Sequence, residues 1–361
     1  MEMISKIYKD KRIIITGHTG FKGSWLCFWI SFFGADIYGI SKGIPTNPSL
    51  FNILNIKKLI KKDYRVKIED YKKLKNIVEK VKPDLIFHLA GQSLVKKSYK
   101  ETFATFLTNT VGTLNILDII NNYKKKTNLV IITSDKVYKN INTKKKYIES
   151  DKIGGDDPYS SSKGAADIIA NSYQLLFKKK GHKIVIARAG NVIGGGDWAD
   201  DRIISDCFKS WKSNTSVKIR SPNSTRPWQH VLEPISGYLL AGHYLLSDSK
   251  KITGESFNFG PSNSDNKSVQ DILLILKKQW KGLKIIFENQ DNFVEHKLLQ
   301  LSSKKAKKIL NWRSVLNFEE TIKMTSEWYR ALREKKNMTQ FTIGQIKYYE
   351  KKFNKINNYR I

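Results

Sequence analysis

Residues 12–34 restrict this chain more than any other stretch. Arg12-Ile13-Ile14-Ile15-Thr16 is short, apolar and β-branched, the composition of a fully buried strand. Gly17-His18-Thr19-Gly20-Phe21-Lys22-Gly23 follows without a spacer, and an apolar helix over 24–33 ends at Gly34. Three glycines at intervals of three, between a strand and a helix, permit a tight turn. They also let a backbone approach a pyrophosphate at the helix N-terminus. The competing reading is a merely structural turn; the flanking strand and helix favour dinucleotide binding. The next strand, over 36–40, ends in Ser41-Lys42 and not in an acid that would hold a ribose 2′-hydroxyl. From these residues the choice between NAD and NADP stays open.

The alternation continues. A helix over 74–81 precedes a buried strand over 85–91, and a long amphipathic segment fills 95–121. A strand over 129–133, a helix over 157–177 and a strand over 184–188 complete the series. This pattern predicts an α/β fold: a Rossmann-type doubly wound parallel sheet with a smaller C-terminal substrate-binding lobe. The expected division is 1–190 as the dinucleotide-binding domain, rejoined by roughly 229–260. The lobe takes 191–228 and 261–336, leaving 337–361 as a basic C-terminal tail, frayed or docked. Within the lobe a helix is expected over 202–211 and a strand over 217–220. Ligands bind such sheets beyond the carboxyl ends of the strands, which gathers the glycine loop, Gly91, Ser134 and Asn191. His88, inside its strand, reads as a satisfied core residue and not a base.

Two stretches carry chemistry. Ile131-Ile132-Thr133-Ser134-Asp135-Lys136 runs from an apolar strand into a hydroxyl, an acid and an amine. Tyr159 precedes Lys163 by four residues, so on a helix the two share a face. An ammonium beside a phenol favours the phenolate and lets a tyrosine act as a base nearer neutrality.

Composition narrows the classes. The 361 residues carry a formal net charge of +31, but the cations are mostly lysines scattered in ones to threes. That pattern argues for solvated faces and against nucleic-acid binding, while still favouring an anionic substrate. Cys27 and Cys207 show no metal or disulfide spacing and read as small buried hydrophobes, so no metal is expected. The first twelve residues lack a signal core, and the run 25–33 is too short to span a bilayer. A soluble, cytoplasmic protein with no membrane partner is expected.

Taken together, the stretches 16–26, 133–136, 159–163 and Arg226-Pro227-Trp228-Gln229-His230-Val231 resemble the extended short-chain dehydrogenase/reductase family, of NAD-dependent epimerase/dehydratase type. The resemblance runs over about 12–328. It implies a tightly held NAD and a nucleotide-sugar substrate, a CDP-hexose in the first place. It also implies a homodimer through the helices near 95–121 and 157–177. By motif position, Gly17, Thr19, Gly20, Phe21, Lys22 and Gly23 belong to the pyrophosphate loop, and Asp63 with Tyr64 lies near adenine. Leu89, Ala90, Gly91, Asn109, Tyr159 and Lys163 border the rest of the cofactor. Gln92, Ser134, Asn191, Arg202 and Arg226 fall to the substrate, with Asn191 and Arg226 at its diphosphate.

The implied reaction is a 4,6-dehydration serving deoxysugar or surface-polysaccharide synthesis. Ser134, Asp135, Lys136, Tyr159 and Lys163 are its catalytic residues, with Tyr159 the base at the C4 hydroxyl and Asp135 the acid at the C6 hydroxyl. Lys136 stands where the dTDP-glucose branch has a glutamate, and which group removes the C5 proton stays open. UDP-N-acetylglucosamine-type dehydratases also fit a lysine there, and a catalytically idle nucleotide-binding scaffold is the reading outside enzymology.

Overall fold

The computed structural model describes residues 2–141, 145–219, 221–247, 249–261, 267–288 and 299–357. Arg220, the expected end of a lobe strand, and the last four residues of the tail lie outside them. Seven parallel strands form the central sheet: β1 (Arg12–Thr16), β2 (Asp36–Ile40), β3 (Lys62–Tyr64), β4 (Leu85–His88), β5 (Asn128–Ile132), β6 (Lys183–Ala189) and β7 (Ser256–Phe259). Their order is β7-β6-β5-β4-β1-β2-β3. The chain therefore winds outward from β1, returns to its other flank at β4 and winds outward again. That reversal leaves a crevice between β1 and β4, the position where doubly wound sheets take their ligands.

Side chains alternate faces along each strand, and both faces are covered. Ile13, Ile15, Leu85, Phe87, Val130, Val185 and Ala187 enter one core, while Ile14, Ile86, Leu129, Ile131, Ile184 and Ile186 enter the other. The first face meets α1 (Phe21–Ile30), and the second packs α2 (Tyr71–Val81) with the segment 95–121. The 95–121 stretch is not one helix. It divides into α3 (Val95–Lys100), α4 (Thr102–Phe106), a π-helical turn (Leu107–Val111) and α5 (Gly112–Asn121).

The long helix α6 (Pro158–Lys180) is capped by Asp157, whose side chain accepts from the Ser160 amide, and it ends at Gly181 in the left-handed region. After α6 come α7 (Ile203–Ser213), α8 (Leu232–Leu246), α9 (Val269–Gln279) and α10 (Phe318–Arg333), with four two-stranded pairings among the described residues; α8 packs on β5 and β6 of the sheet. The lobe strand is Ser216–Ile219, parallel to Lys284–Phe287.

Of the two readings of the C-terminal run, docked is the one found: α11 (Met338–Ile356) is a 19-residue helix packed on the first core through Ile346, Tyr349 and Phe353. The Trp29 indole donates to Glu350 at 2.9 Å, fixing this helix against α1. Its apolar residues recur at helical spacing between lysines, which hides them in composition. The stretch Thr102–Asn121 is also long and apolar enough to cross a membrane by length and composition. Half of that window is buried inside this fold.

Candidate functional site

The glycine loop is built by contact. Gly17 has φ +73°, and a Cβ there would stand 2.8 Å from the Ala90 nitrogen across the crevice. A Cβ on Gly23 would stand 2.1 Å from the Gly17 oxygen, so only glycine lets the first helical turn close on the loop. Helix α1 thus begins at Phe21, one turn earlier than the sequence suggests, and takes Lys22 and Gly23 out of the loop. Gly20 is its N-cap and supplies no side chain to the first-turn amides. Thr19 donates to the Gly43 carbonyl at 2.6 Å, drawing the segment after β2 onto the loop. A narrow crevice, a glycine turn and a helix start without a capping side chain fit a dinucleotide pyrophosphate.

Several polar groups around this loop are paired. Thr16 Oγ1 accepts from the Ala90 amide at 3.1 Å and lies 2.8 Å from His88 Nδ1. His88 Nε2 lies 3.1 Å from Thr113 Oγ1, which itself donates to the Asn109 carbonyl. The chain of donors is consistent with neutral His88 protonated on Nε2. Burial lowers its pKa to about 3, so it is the satisfied core residue expected.

Asn109 sits in the π-helical turn. Its Oδ1 accepts from the Gln92 amide, and its Nδ2 donates to the Gln92 carbonyl and to Ser162 on α6. The turn's extra residue lets one side chain tie the loop after β4 to the tyrosine-bearing helix. The Gln92 side chain bonds Leu94 and Thr105, so it shapes this loop and does not present a free amide to a substrate. Asp63 is committed too: Oδ1 lies 3.0 Å from His18 Nε2, and Oδ2 accepts from Arg65 at 2.6 Å.

At the end of β5, Ser134 caps the short turn Asp135–Val137 and donates to Asp135 Oδ1 at 2.8 Å. A Cβ on Gly190, after β6, would lie 3.2 Å from Asp135 Oδ2. Lys136 Nζ donates to Asn191 Oδ1 at 3.3 Å and stands 3.9 Å from Asp135 Oδ1. Tyr159, buried on the first turn of α6, has its amide held by Ser98 of α3. Burial raises the phenol's pKa; a hydrogen bond with Ser134 lowers it, Asp135 raises it and Arg202 lowers it.

Arg202 opposes this rise, though the net direction is upward. Lys163 Nζ is aimed at the loop after β4, where a Cβ on Gly91 would stand 2.9 Å from it. Burial brings the Lys163 pKa down to about 8. Lys22 reaches the same centre. Its pKa falls to about 8, first through burial, with Asp135 opposing the shift and Lys163, Arg202 and Lys136 adding to it.

The structure thus gathers Lys22, Ser134, Asp135, Lys136, Tyr159, Lys163, Asn191 and Arg202 about the crevice. Arg202 caps α7, its Nε 3.8 Å from Asp197. Arg226 lies on a separate ribbon, Thr225–Arg226 antiparallel to Lys267–Ser268, with Nη1 donating to the Thr225 carbonyl. Leu89, Ala90 and Phe21 are partly buried around the crevice, and Tyr64 is partly buried at the end of β3. Among the described residues no cluster could hold a metal ion.

Sequence reading missed the support beneath this centre. Asp167, one turn after Lys163, takes Arg188 of β6 bidentately at 2.8 and 2.6 Å and accepts from Thr133 at 3.0 Å. An arginine inside an apolar strand was the available signal, since a buried charge demands a partner.

Known proteins resemble this chain in sequence and in fold. The family model described as GDP-mannose 4,6 dehydratase matches residues 14–325. The chain belongs to this dehydratase family. CDP-glucose 4,6-dehydratase of Salmonella typhimurium is 39% identical over 337 residues, covering 91% of this chain and 93% of the relative. Among solved structures, dTDP-glucose 4,6-dehydratase from Bacillus anthracis, in complex with NAD, superposes with a TM-score of 0.73 at 20% identity. That match covers 91% of this chain and 99% of the neighbour. UDP-glucose 4-epimerase from Thermotoga maritima, solved with UDP-glucose, gives 0.74 at 21% identity, covering 89% and 99%. These dehydratase and epimerase neighbours share the seven-stranded parallel sheet and its flanking helices.

Proposed function

We propose that this dehydratase converts CDP-glucose to CDP-4-keto-6-deoxyglucose and water. The observation that carries the reading is the meeting of Ser134, Asp135 and Lys136 with Tyr159 and Lys163 at the crevice, in a chain 39% identical to a CDP-glucose 4,6-dehydratase. The Gly17–Gly20 turn, the start of α1 and Lys163 would hold NAD, which when bound would supply the reversible hydride chemistry that a dehydration without net oxidation needs.

The residues do the rest. Tyr159 takes the C4 hydroxyl proton while Ser134 hydrogen-bonds the same oxygen, and Arg202 favours the phenolate. The ketone so formed acidifies C5. The Lys136 ammonium, tethered to Asn191, stabilises the enolate left when the C5 proton passes to solvent. Asp135 takes up a proton from solvent and hands it to the C6 hydroxyl, which leaves as water. Asn191, Arg202 and Arg226 hold the diphosphate and keep the unsaturated sugar bound until C5 regains a proton.

Labelled substrate tests this sequence. CDP-glucose deuterated at C4 should give a product with deuterium at C6 and solvent hydrogen at C5, using only catalytic NAD. Label lost to a cofactor pool, or conversion of UDP-N-acetylglucosamine in preference to CDP-glucose, would overturn the reading.

A homodimer in the cytoplasm belongs to the same proposal. Phe103 of α4 and Leu175 of α6 are 81% and 73% exposed, with Tyr99 and Ile168 beside them in sequence on the helices that the resemblance puts at the interface. Sequestering them against a second copy accounts for large apolar side chains on an otherwise lysine-rich surface.

A further inference from the structure

An ion pair joins the segment after β4 to the segment after β6. Lys96, on the first turn of α3, donates to Asp201, in the loop before α7, at 2.5 Å, across 105 residues of chain. In the sheet β5 lies between β4 and β6, and it leads into Ser134, Asp135 and Lys136. A link between the segments that follow its two neighbours therefore passes over the end of β5. Tyr159 is bracketed in the same way. Ser98, on the same short helix as Lys96, holds its amide, and Arg202, next to Asp201, acts on its phenol.

The loop that carries Asp201 is fixed at its base. A Cβ on Gly194 would stand 2.7 Å from Val231, and one on Gly195 would stand 2.0 Å from Trp328. Trp25 Nε1 donates to the Gly195 carbonyl at 2.9 Å, and Tyr329 Oη to the Asp197 carbonyl at 2.6 Å. The tip is held differently. Asp201 has φ +57°, and its side chain is 54% exposed against 43% for Lys96. The neighbouring acids Asp200 and Asp206 both have Lys209, at 3.3 and 3.9 Å, which leaves Lys96 to Asp201. An exposed pair of this kind is weak and is screened by salt. It can bias a mouth toward closure and still part once in each turnover.

We propose that Lys96 and Asp201 are positioning residues for the dehydration. Their ion pair straps the sugar in over the end of β5, keeps Arg202 beside Tyr159, and parts to admit substrate and release product. This rests on the substrate reading given above. The reaction needs such a strap, because the unsaturated sugar has lost water before it regains hydrogen. If the strap parts early, that sugar leaves with its ketone and double bond, and the hydride taken from C4 stays on the cofactor.

Lys96→Met and Asp201→Asn test it, since each removes one charge and asparagine suits the left-handed backbone. They are placed in the Tyr159→Phe protein, which holds CDP-glucose without turning it over. A chase of bound radiolabelled CDP-glucose should then show dissociation about fivefold faster for each change, and no faster for the two together. Added salt should speed dissociation more from the protein with the intact pair than from either variant. With Tyr159 restored, each change should raise the share of turnovers that end with reduced cofactor, read by its absorbance. Dissociation within about twofold of the intact pair, or effects that add in the double variant, would overturn the strap. Failure of the Tyr159→Phe protein with Lys96 and Asp201 intact to bind CDP-glucose would overturn the substrate reading on which the strap rests, a separate failure.

Discussion

Replacing Asp167 by asparagine should cost this protein more stability than almost any other single oxygen-for-nitrogen exchange. Asp167 is wholly buried, and its carboxylate accepts from Arg188 Nε and Nη2, from Thr133 Oγ1 and from Asn171 Nδ2. Arg188 is buried with it and donates also to Tyr138 Oη and the Glu149 carbonyl. Asparagine keeps the shape but removes the countercharge and turns one accepting atom into a donor facing donors. Tyr138 cannot take over as the anion, since burial pushes its pKa up to about 12. Breaking a buried pair on one side costs about 3–5 kcal/mol.

Urea unfolding followed by tryptophan fluorescence should show a lower midpoint at unchanged slope. The double variant Asp167→Leu with Arg188→Met should recover most of the loss, because removing both charges leaves none stranded. An Asp167→Asn protein within about 1 kcal/mol of wild type would refute the argument. Activity should fall as well, since Thr133 adjoins Ser134 and Asp167 lies one turn beyond Lys163.

Other outcomes are equally definite. Tyr159→Phe should lower turnover by about a hundredfold to ten-thousandfold while calorimetry finds cofactor and CDP-glucose still bound. Asp135→Asn should leave C5 proton exchange with solvent faster than release of a heavy-oxygen label from C6, as substrate NMR can show. Burial raises the Glu233 pKa to about 7, against 4.5 for an ordinary glutamate, so the folded state binds the proton more tightly. Its contribution is complete below the unfolded pKa and is lost as pH rises through about 7. Stability should therefore fall by an amount on the order of 3 kcal/mol across that window, a slope that Glu233→Gln should flatten. Phe103→Glu with Leu175→Glu should convert a dimer to monomers in light scattering.

Sequence made the sheet legible because buried parallel strands are continuous apolar runs, and 12–16, 85–88 and 128–132 stand out against lysine-rich surroundings. The crevice followed from Gly17, Gly20 and Gly23, and the reactive cluster from Ser134-Asp135-Lys136 with Tyr159 and Lys163. Direction was not legible. Spacing put Lys163 on the face of Tyr159, but only packing aims its amine at Gly91. Nor does sequence distinguish a side chain offered to ligands from one engaged within the protein, as with Gln92 and Asp63. The π-helical turn at Asn109 has no sequence sign, because its extra residue is set by partners in the loop after β4 and on α6.

The docked helix α11 has a consequence for how the chain is made. Tyr349 donates to Glu233 and Trp29 to Glu350, bonds spanning 116 and 321 residues. α11 leaves the ribosome after α1 and every strand of the sheet, so the outer face of α1, with Trp29 on it, stays uncovered until α11 has emerged. Contacts so distant along the chain form slowly, and exposed apolar surface invites association in the interval. The sheet strands up to β7 precede α11 and can assemble without it; the first core cannot close. Removing 338–361 should therefore yield a chain that keeps its strands but aggregates, and a stalled nascent chain of that length should bind chaperones.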